Sequence, residues 1–267
     1  MDRLSRALLL GLWLLGAAQA DEPIAVTILY DNGYPPYSYV QNGVARGLYN
    51  DILRAAFARM PAYQVTLKPV PWRRGLAAIE QGKAFALSPP YYRPLERPWM
   101  DYSAPIQDER LVVLLRPGIA GDIQLDNFPQ AYWGLNLGIN AGFSVTGTEG
   151  LAQMIAAGQI SLIEAGDNRS NLLKLHHGRI DAYINDELAM LWTWQQMMQD
   201  GALPAASEPP VIGPTLSVEQ GYLGFTTRNP QAFSYKADFV RTFNRALAQL
   251  KREGLLEPLR TGYRLQH

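Results

Sequence analysis

Hydrophobic and polar positions along this chain follow two periods, and the switch between them repeats. Residues 24–30 alternate apolar with other residues up to Asn32-Gly33, which predicts a strand closed by a turn. Over 47–60, Leu48, Ile52, Leu53, Ala56, Phe57 and Met60 recur at helical spacing until Pro61 stops the run. Residues 63–70 return to the strand period. A short helix follows over 72–81, with Leu76 and Ile79 inward and Gly82 as its stop. Short buried strands are expected at 84–87 and 111–115. The second half repeats the theme with strands at 135–139, 160–163 and 180–184 and helices at 150–157, 170–177 and 187–199. A last strand at 222–226 precedes an amphipathic helix over 236–253, whose stripe is Phe239, Phe243, Ala246, Leu247 and Leu250. This alternation predicts an α/β fold with helix-covered sheets. Stretches rich in Pro and Gly at 116–121 and 201–214 read as linkers or loops.

The first twenty residues stand apart. Arg3 and Arg6 precede a short apolar run over 7–15, and Ala18-Gln19-Ala20 is a small-x-small sequence before Asp21. That is the three-part secretory pattern. The run is shorter than the roughly 20 residues of a membrane span, so a cleaved signal and an exported, periplasmic mature chain are expected. The remaining length suits one large domain or two small lobes, and 48% hydrophobic residues among 267 can build a core. The 24 acidic and 24 basic residues balance, which removes the basic signature of nucleic-acid or anionic-membrane binding. The chain has no cysteine, which excludes disulfides, thiolate catalysis and cysteine-ligated metals. Three histidines, His176, His177 and His267, offer no catalytic triad or metal cluster, so no metal or cofactor is expected.

Four stretches carry candidate chemistry. Tyr34-Pro35-Pro36-Tyr37-Ser38-Tyr39 follows the first strand, and ligands in α/β sheets sit beyond the carboxyl ends of strands. Its tyrosines offer flat faces and hydroxyls, or simply core packing. The segment from Arg93 to Ser103 holds arginines, whose planar fork suits a carboxylate but also makes ordinary surface ion pairs. Leu137-Gly138-Ile139-Asn140-Ala141-Gly142-Phe143-Ser144 runs a strand into a glycine turn, either a plain connection or an anion cradle. In Gly178-Arg179-Ile180-Asp181-Ala182-Tyr183-Ile184-Asn185-Asp186, the last residue is placed to cap a helix or to accept an ammonium.

Taken in order, these stretches resemble the family 3 extracellular solute-binding proteins, the amino-acid receptors of ATP-driven importers. Gly33-Tyr34-Pro35-Pro36-Tyr37 is similar to the family's aromatic first loop, and Gly47-Leu48-Tyr49-Asn50-Asp51-Ile52 to its Gly-Phe-Asp-x-Asp-Leu helix start. Arg93 to Ser103 resembles its Thr-Pro-Glu-Arg segment, and Gly178-Arg179-Ile180-Asp181 through Asp186 its Gly-Arg-x-Asp-Ala-x-x-x-Asp signature. The helix ending Leu250-Lys251-Arg252-Glu253-Gly254 is similar to its closing helix.

The resemblance implies a type II periplasmic binding fold of two α/β lobes joined by two crossover strands, with a ligand cleft between them. Lobe 1 would be 21–106 with 222–267 and lobe 2 would be 111–216, with hinges at 107–110 and 217–221. It implies that Arg97 binds a ligand carboxylate, with Phe143, Ser144 and the amides after Gly142 completing that site. It implies that Asp186 accepts the ammonium and that Tyr34, Tyr37 and Trp72 flank the ligand. Asp31 would meet a basic side chain or hold its own turn. The chain departs from the family at Ser88-Pro89-Pro90-Tyr91-Tyr92. Two prolines there lack an N–H, and Tyr92, which the resemblance places at the ligand, is bulky where a small hydroxyl residue is expected. The expected ligand is therefore a small carboxylate-bearing solute with an altered amine site. The implied partners are that ligand and a membrane permease of the ABC type, or a membrane sensor, with the chain itself monomeric and no nucleic acid involved. A non-catalytic role is expected. The rival is dehydratase-like chemistry, which some relatives of the fold perform and which would need a poised carboxylate such as Asp31 or Asp186.

Overall fold

A computed structural model describes residues 22–141 and 150–263. The proposed signal at 1–20, together with Phe143, Ser144 and His267, lies outside the described residues. The elements run β1 (Ile24–Asp31), β2 (Gly33–Tyr34), β3 (Ser38–Gln41), β4 (Val44–Arg46), α1 (Leu48–Phe57), β5 (Tyr63–Val70), α2 (Trp72–Glu80), β6 (Ala86–Ser88), β7 (Met100–Tyr102) and β8 (Gln107–Leu115). They continue through α3 (Pro117–Ala120), β9 (Asn136–Asn140), α4 (Leu151–Ala156), β10 (Ser161–Ala165), α5 (Asn168–His176), β11 (Ala182–Asp186), α6 (Glu187–Gln199), β12 (Val211–Gly221), β13 (Gly224–Thr226), α7 (Lys236–Arg252) and α8 (Leu256–Thr261).

Two five-stranded sheets form the two lobes. Their orders are β5-β1-β6-β13-β7 and β10-β9-β11-β8-β12, and β2-β3-β4 is a small sheet of its own. Each large sheet is built alike. Three parallel strands come first, β5-β1-β6 in one and β10-β9-β11 in the other. Two antiparallel strands follow in each, β13-β7 and β8-β12. The long pair β8 and β12 joins the lobes, in register from Gln107↔Gly221 to Val211↔Leu115 with an irregularity around Thr215.

Strand alternation explains why both faces are covered. In β8, Val112 and Leu114 point into a core with α5 and α6, through Leu172, Leu175, Met190 and Trp194. Val113 and Leu115 point to the opposite face, against Leu137, Leu151 and Ile184. In β1, Val26 and Ile28 meet Phe239, Phe243 and Leu247 of α7, while Leu29 faces Ile79 of α2. Each such apolar side chain contributes about 1.5–3 kcal/mol by leaving water. The aromatic core of the first lobe is dense, with Phe85 edge-on to Phe239 at 5.2 Å.

Three expectations need adjusting. β8 begins at Gln107, because Glu109 and Leu111 keep the strand period through a charged stretch. The 201–214 region ends in a real strand, β12, which accommodates Pro214 because it is the sheet's edge and is bulged there. Residues after Asn32 form the small β2-β3-β4 sheet, which the turn signal at Asn32-Gly33 concealed.

Candidate functional site

The carboxyl ends of the parallel strands of both sheets open on one cavity of about 790 Å³. β1 delivers Gly33, Tyr34 and Pro35, and the chain after β6 delivers Tyr91 and Arg93. β9 delivers Asn140, β10 delivers Gly166 and Asp167, and β11 delivers Asn185 and Asp186. The joining strands add Glu109, Leu111, Ser217 and Glu219. This is the crevice that α/β topology reserves for ligands.

Tyr34 and Tyr37 are fixed by the start of α1. The N–H groups of Leu48 and Tyr49 donate to the carbonyls of Pro36 and Tyr37 at 3.0 and 2.9 Å, which satisfies orphan donors of the helix with loop backbone. The approach needs Gly47, whose φ is +108° and where a Cβ would lie 2.4 Å from the Tyr37 oxygen. The two rings then stack at 5.1 Å.

At the cavity floor Glu109 is 3% exposed. Its carboxylate accepts from three phenols: Tyr49 at 2.6 Å, Tyr91 at 2.5 Å, and Tyr34. Tyr49 reaches it from α1 only because residue 221, on β12, is glycine. A Cβ there would stand 1.9 Å from the Tyr49 oxygen. Burial pushes the Glu109 carboxyl above its ordinary range, and the phenol hydrogen bonds oppose that rise. Burial likewise raises all four phenols, Tyr34, Tyr37, Tyr49 and Tyr91, so each remains a donor.

Of the two roles open to Asp186 in the sequence, the structure shows the cap. The side chain caps α6, accepting from the Ala189 N–H at 2.8 Å, and it faces the cavity. The Tyr37 hydroxyl donates to it, 2.9 Å from each oxygen. Burial first, and the Glu109 charge second, raise its pKa to about 7. Beside it lies an amide network. The Tyr183 hydroxyl stands 2.8 Å from the side-chain oxygens of both Asn140 and Asn168, and Asn185 donates to it at 2.7 Å. Asn171 braces the network from α5, donating to the Asn140 side chain at 3.0 Å.

The other predicted residues fall elsewhere. Arg97 lies over the Trp72 ring at 5.8 Å and donates to the Tyr91 carbonyl at 3.4 Å, and neither Arg97 nor Trp72 lines the cavity. The arginines that do line it are Arg93, paired through both nitrogens with Glu219 at 2.9 and 3.2 Å, and Arg169 of α5, paired with Asp200 at 2.6 Å. Asp31 holds its own turn by accepting from the Gly33 N–H at 3.1 Å. Tyr92 is 54% exposed and packs edge-on against Tyr102. Tyr34, Tyr37 and Asp186 are thus brought together. Glu109, Tyr49, Tyr91, Arg93 and the four asparagines Asn140, Asn168, Asn171 and Asn185 were not singled out as site residues. The available signal for Glu109 was its phase, since it shares the strand face of Leu111, Val113 and Leu115. Among the described residues no cluster of His, Cys, Asp or Glu is placed to hold a metal, and no helix is long and apolar enough to cross a membrane.

Comparison with known proteins defines the class. Residues 26–266 match the bacterial extracellular solute-binding proteins, family 3, and the chain belongs to that family. A comparison with curated proteins finds no match. Among solved structures it is similar to substrate binding domain 2 of Lactococcus lactis GlnP in open conformation. That likeness has 16% identity and a TM-score of 0.68 and covers 93% of this chain and 98% of that one. It is also similar to a histidine kinase sensor domain resembling periplasmic binding proteins, at 17% identity and TM-score 0.57, covering 91% and 97%. A third is an ancestral amino acid-binding protein described as a precursor of cyclohexadienyl dehydratase, at 16% identity and TM-score 0.56, covering 90% and 95%. At these identities the likeness is one of fold.

Proposed function

We propose that the chain is an exported receptor that captures a small polar solute in the cleft and presents it to an ABC-type importer. The observation that carries this reading is the Tyr37–Asp186 contact, which joins a loop of one sheet to a helix cap of the other beside the cavity. Lobe closure of this kind couples occupancy to shape. In this reading lobe 1 is 21–106 with 222–267 and lobe 2 is 111–216. The hinges lie in the paired stretches 107–110 and 217–221, where β8 and β12 carry the chain between sheets. The first twenty residues act as the cleaved signal that places the mature protein in the periplasm as a monomer. The match to the bacterial extracellular solute-binding proteins supports capture of a solute, and the likeness to a substrate binding domain is in keeping with it.

A thermal-shift screen of amino acids, organic acids and amines tests the reading, because a ligand of the native state raises stability by RT ln(1 + [L]/Kd). A hit that also shrinks the radius of gyration in solution scattering fits the receptor reading. A chain that no solute stabilises or compacts does not. One observation favours a second reading, catalysis. Asp186, with its pKa near 7, is poised as an acid or base. Mass spectrometry of the hit after overnight incubation separates the two, since a receptor returns its ligand unchanged.

A further inference from the structure

We infer that the cleft takes a cationic amine and requires no carboxylate from it, with Glu109 and Asp186 as the paired anionic groups. The inference rests on the receptor reading and specifies its ligand. The charges around the cavity are unbalanced. Arg93 is bound to Glu219 at 2.9 Å and Arg169 to Asp200 at 2.6 Å, so both lining arginines are engaged. Among the described residues neither Glu109 nor Asp186 has a Lys or Arg in ion-pair contact. Among the described lining residues a solute carboxylate would meet two acids and no uncommitted guanidinium. An ammonium would meet what a buried cation needs, which is opposite charge and hydrogen-bond acceptors.

The tyrosines sharpen the point. Three phenols donate to Glu109, one on Oε1 and two on Oε2, which leaves Oε1 room to accept from an ammonium and brings no positive charge. Tyrosine faces also attract cations, and the Arg93 guanidinium already lies 5.7 Å from the Tyr91 ring centre. The groups facing Asp186 are Tyr34 and Tyr37 from the first loop, Glu109 from β8, Tyr91 from the chain after β6, and Glu187 from α6. None is cationic. Asp186 therefore holds a proton that an incoming ammonium displaces. With a pKa of about 7, this makes amine affinity rise about tenfold from pH 6 to pH 8.

The test is calorimetric titration of the whole mature protein with three probes of matched length: 1,4-diaminobutane, 4-aminobutanoate and succinate. The diamine should bind, the amino acid at least tenfold more weakly, and succinate not at all. Diamine affinity should climb about tenfold from pH 6 to pH 8, with proton release at the lower pH. Asp186→Asn, which keeps an acceptor for the cap, and Glu109→Gln, which keeps one acceptor oxygen for the phenols, should each weaken the diamine at least thirtyfold, while Arg97→Ala should stay within threefold. A preference for 4-aminobutanoate or succinate, or loss of binding in Arg97→Ala, overturns the inference and leaves solute capture standing. If no probe binds and the wider thermal-shift screen is also silent, the receptor reading falls with it.

Discussion

Replacing Asp186 by asparagine tests whether the cleft stores unfavourable charge. The native carboxyl holds its proton up to about pH 7 against an ordinary value of 3.8. Because the folded value lies above the unfolded one, the group's stabilising contribution is complete below about pH 4. It is lost as pH rises towards 7 and stays lost above that. The gap is a little over three decades of proton affinity, and at about 1.4 kcal/mol per decade it amounts to at most ~4 kcal/mol. Asparagine has no charge to bury and keeps a carbonyl for the Ala189 N–H. It caps as well as aspartate but gives up the negative charge at the start of α6, roughly 0.3–1 kcal/mol, and it lets Glu109 ionise more easily. Asp186→Asn should therefore be more stable than the native protein by about 2–3 kcal/mol at pH 8 and no more stable at pH 4. Urea denaturation at both pH values reads this directly. A variant destabilised equally at both would mean that Asp186 is ionised and well solvated in the native state, and the charge argument would be wrong.

Other consequences follow from the same contacts. Gly221→Ala drives a methyl into the Tyr49 phenol 1.9 Å away and should lower stability by about 1–3 kcal/mol; an unchanged denaturation midpoint would remove the close-approach argument. Tyr183→Phe strips the hydroxyl that links Asn140, Asn168 and Asn185 and should cost about 1–3 kcal/mol, read by the same titration, with no change counting against the network. Arg93→Ala breaks an ion pair whose side chains are 35% and 41% exposed and should change stability by less than about 1 kcal/mol. A much larger loss would make that pair part of the frame.

The sequence disclosed the fold through its periods and the site only through its neighbours. Residues 63–70 and 187–199 coincide with β5 and α6, because each combines a clean period with a sharp stop. β12 was hidden by Gly213 and Pro214, since a strand signal weighs against proline unless the strand is known to be an edge. Tyr34, Tyr37 and Asp186 were legible because each follows a strand's carboxyl end. Glu109 was not, because Gln107-Asp108-Glu109-Arg110 reads as solvated hinge, and only three-dimensional convergence shows that Tyr34, Tyr49 and Tyr91, drawn from three separate stretches, meet on it. Arg97 and Arg93 are four residues apart in one loop, and which of them turns inward depends on Trp72 receiving the one and Glu219 the other. That is a tertiary choice which loop sequence does not record.

The Glu109 and Asp186 pair also bears on how a receptor distinguishes occupied from unoccupied closure. A phenol hydroxyl that keeps its proton can satisfy a carboxylate's lone pairs without neutralising it. Glu109 with its three tyrosines and Asp186 with Tyr37 are thus hydrogen-bonded without being neutralised. A proton on Asp186 removes one of the two charges, and one ammonium placed between the acids would offset one charge while contacting both. A ligand shifts a conformational equilibrium only by its differential affinity for the two shapes. If both acids face solvent when the lobes part, solute-free closure must take up a proton and amine-bound closure need not. The bias toward closing on a ligand is then set by the proton it displaces. It should be weakest in acid, where the proton is free for the taking, and should level off above about pH 7, where Asp186 is already ionised.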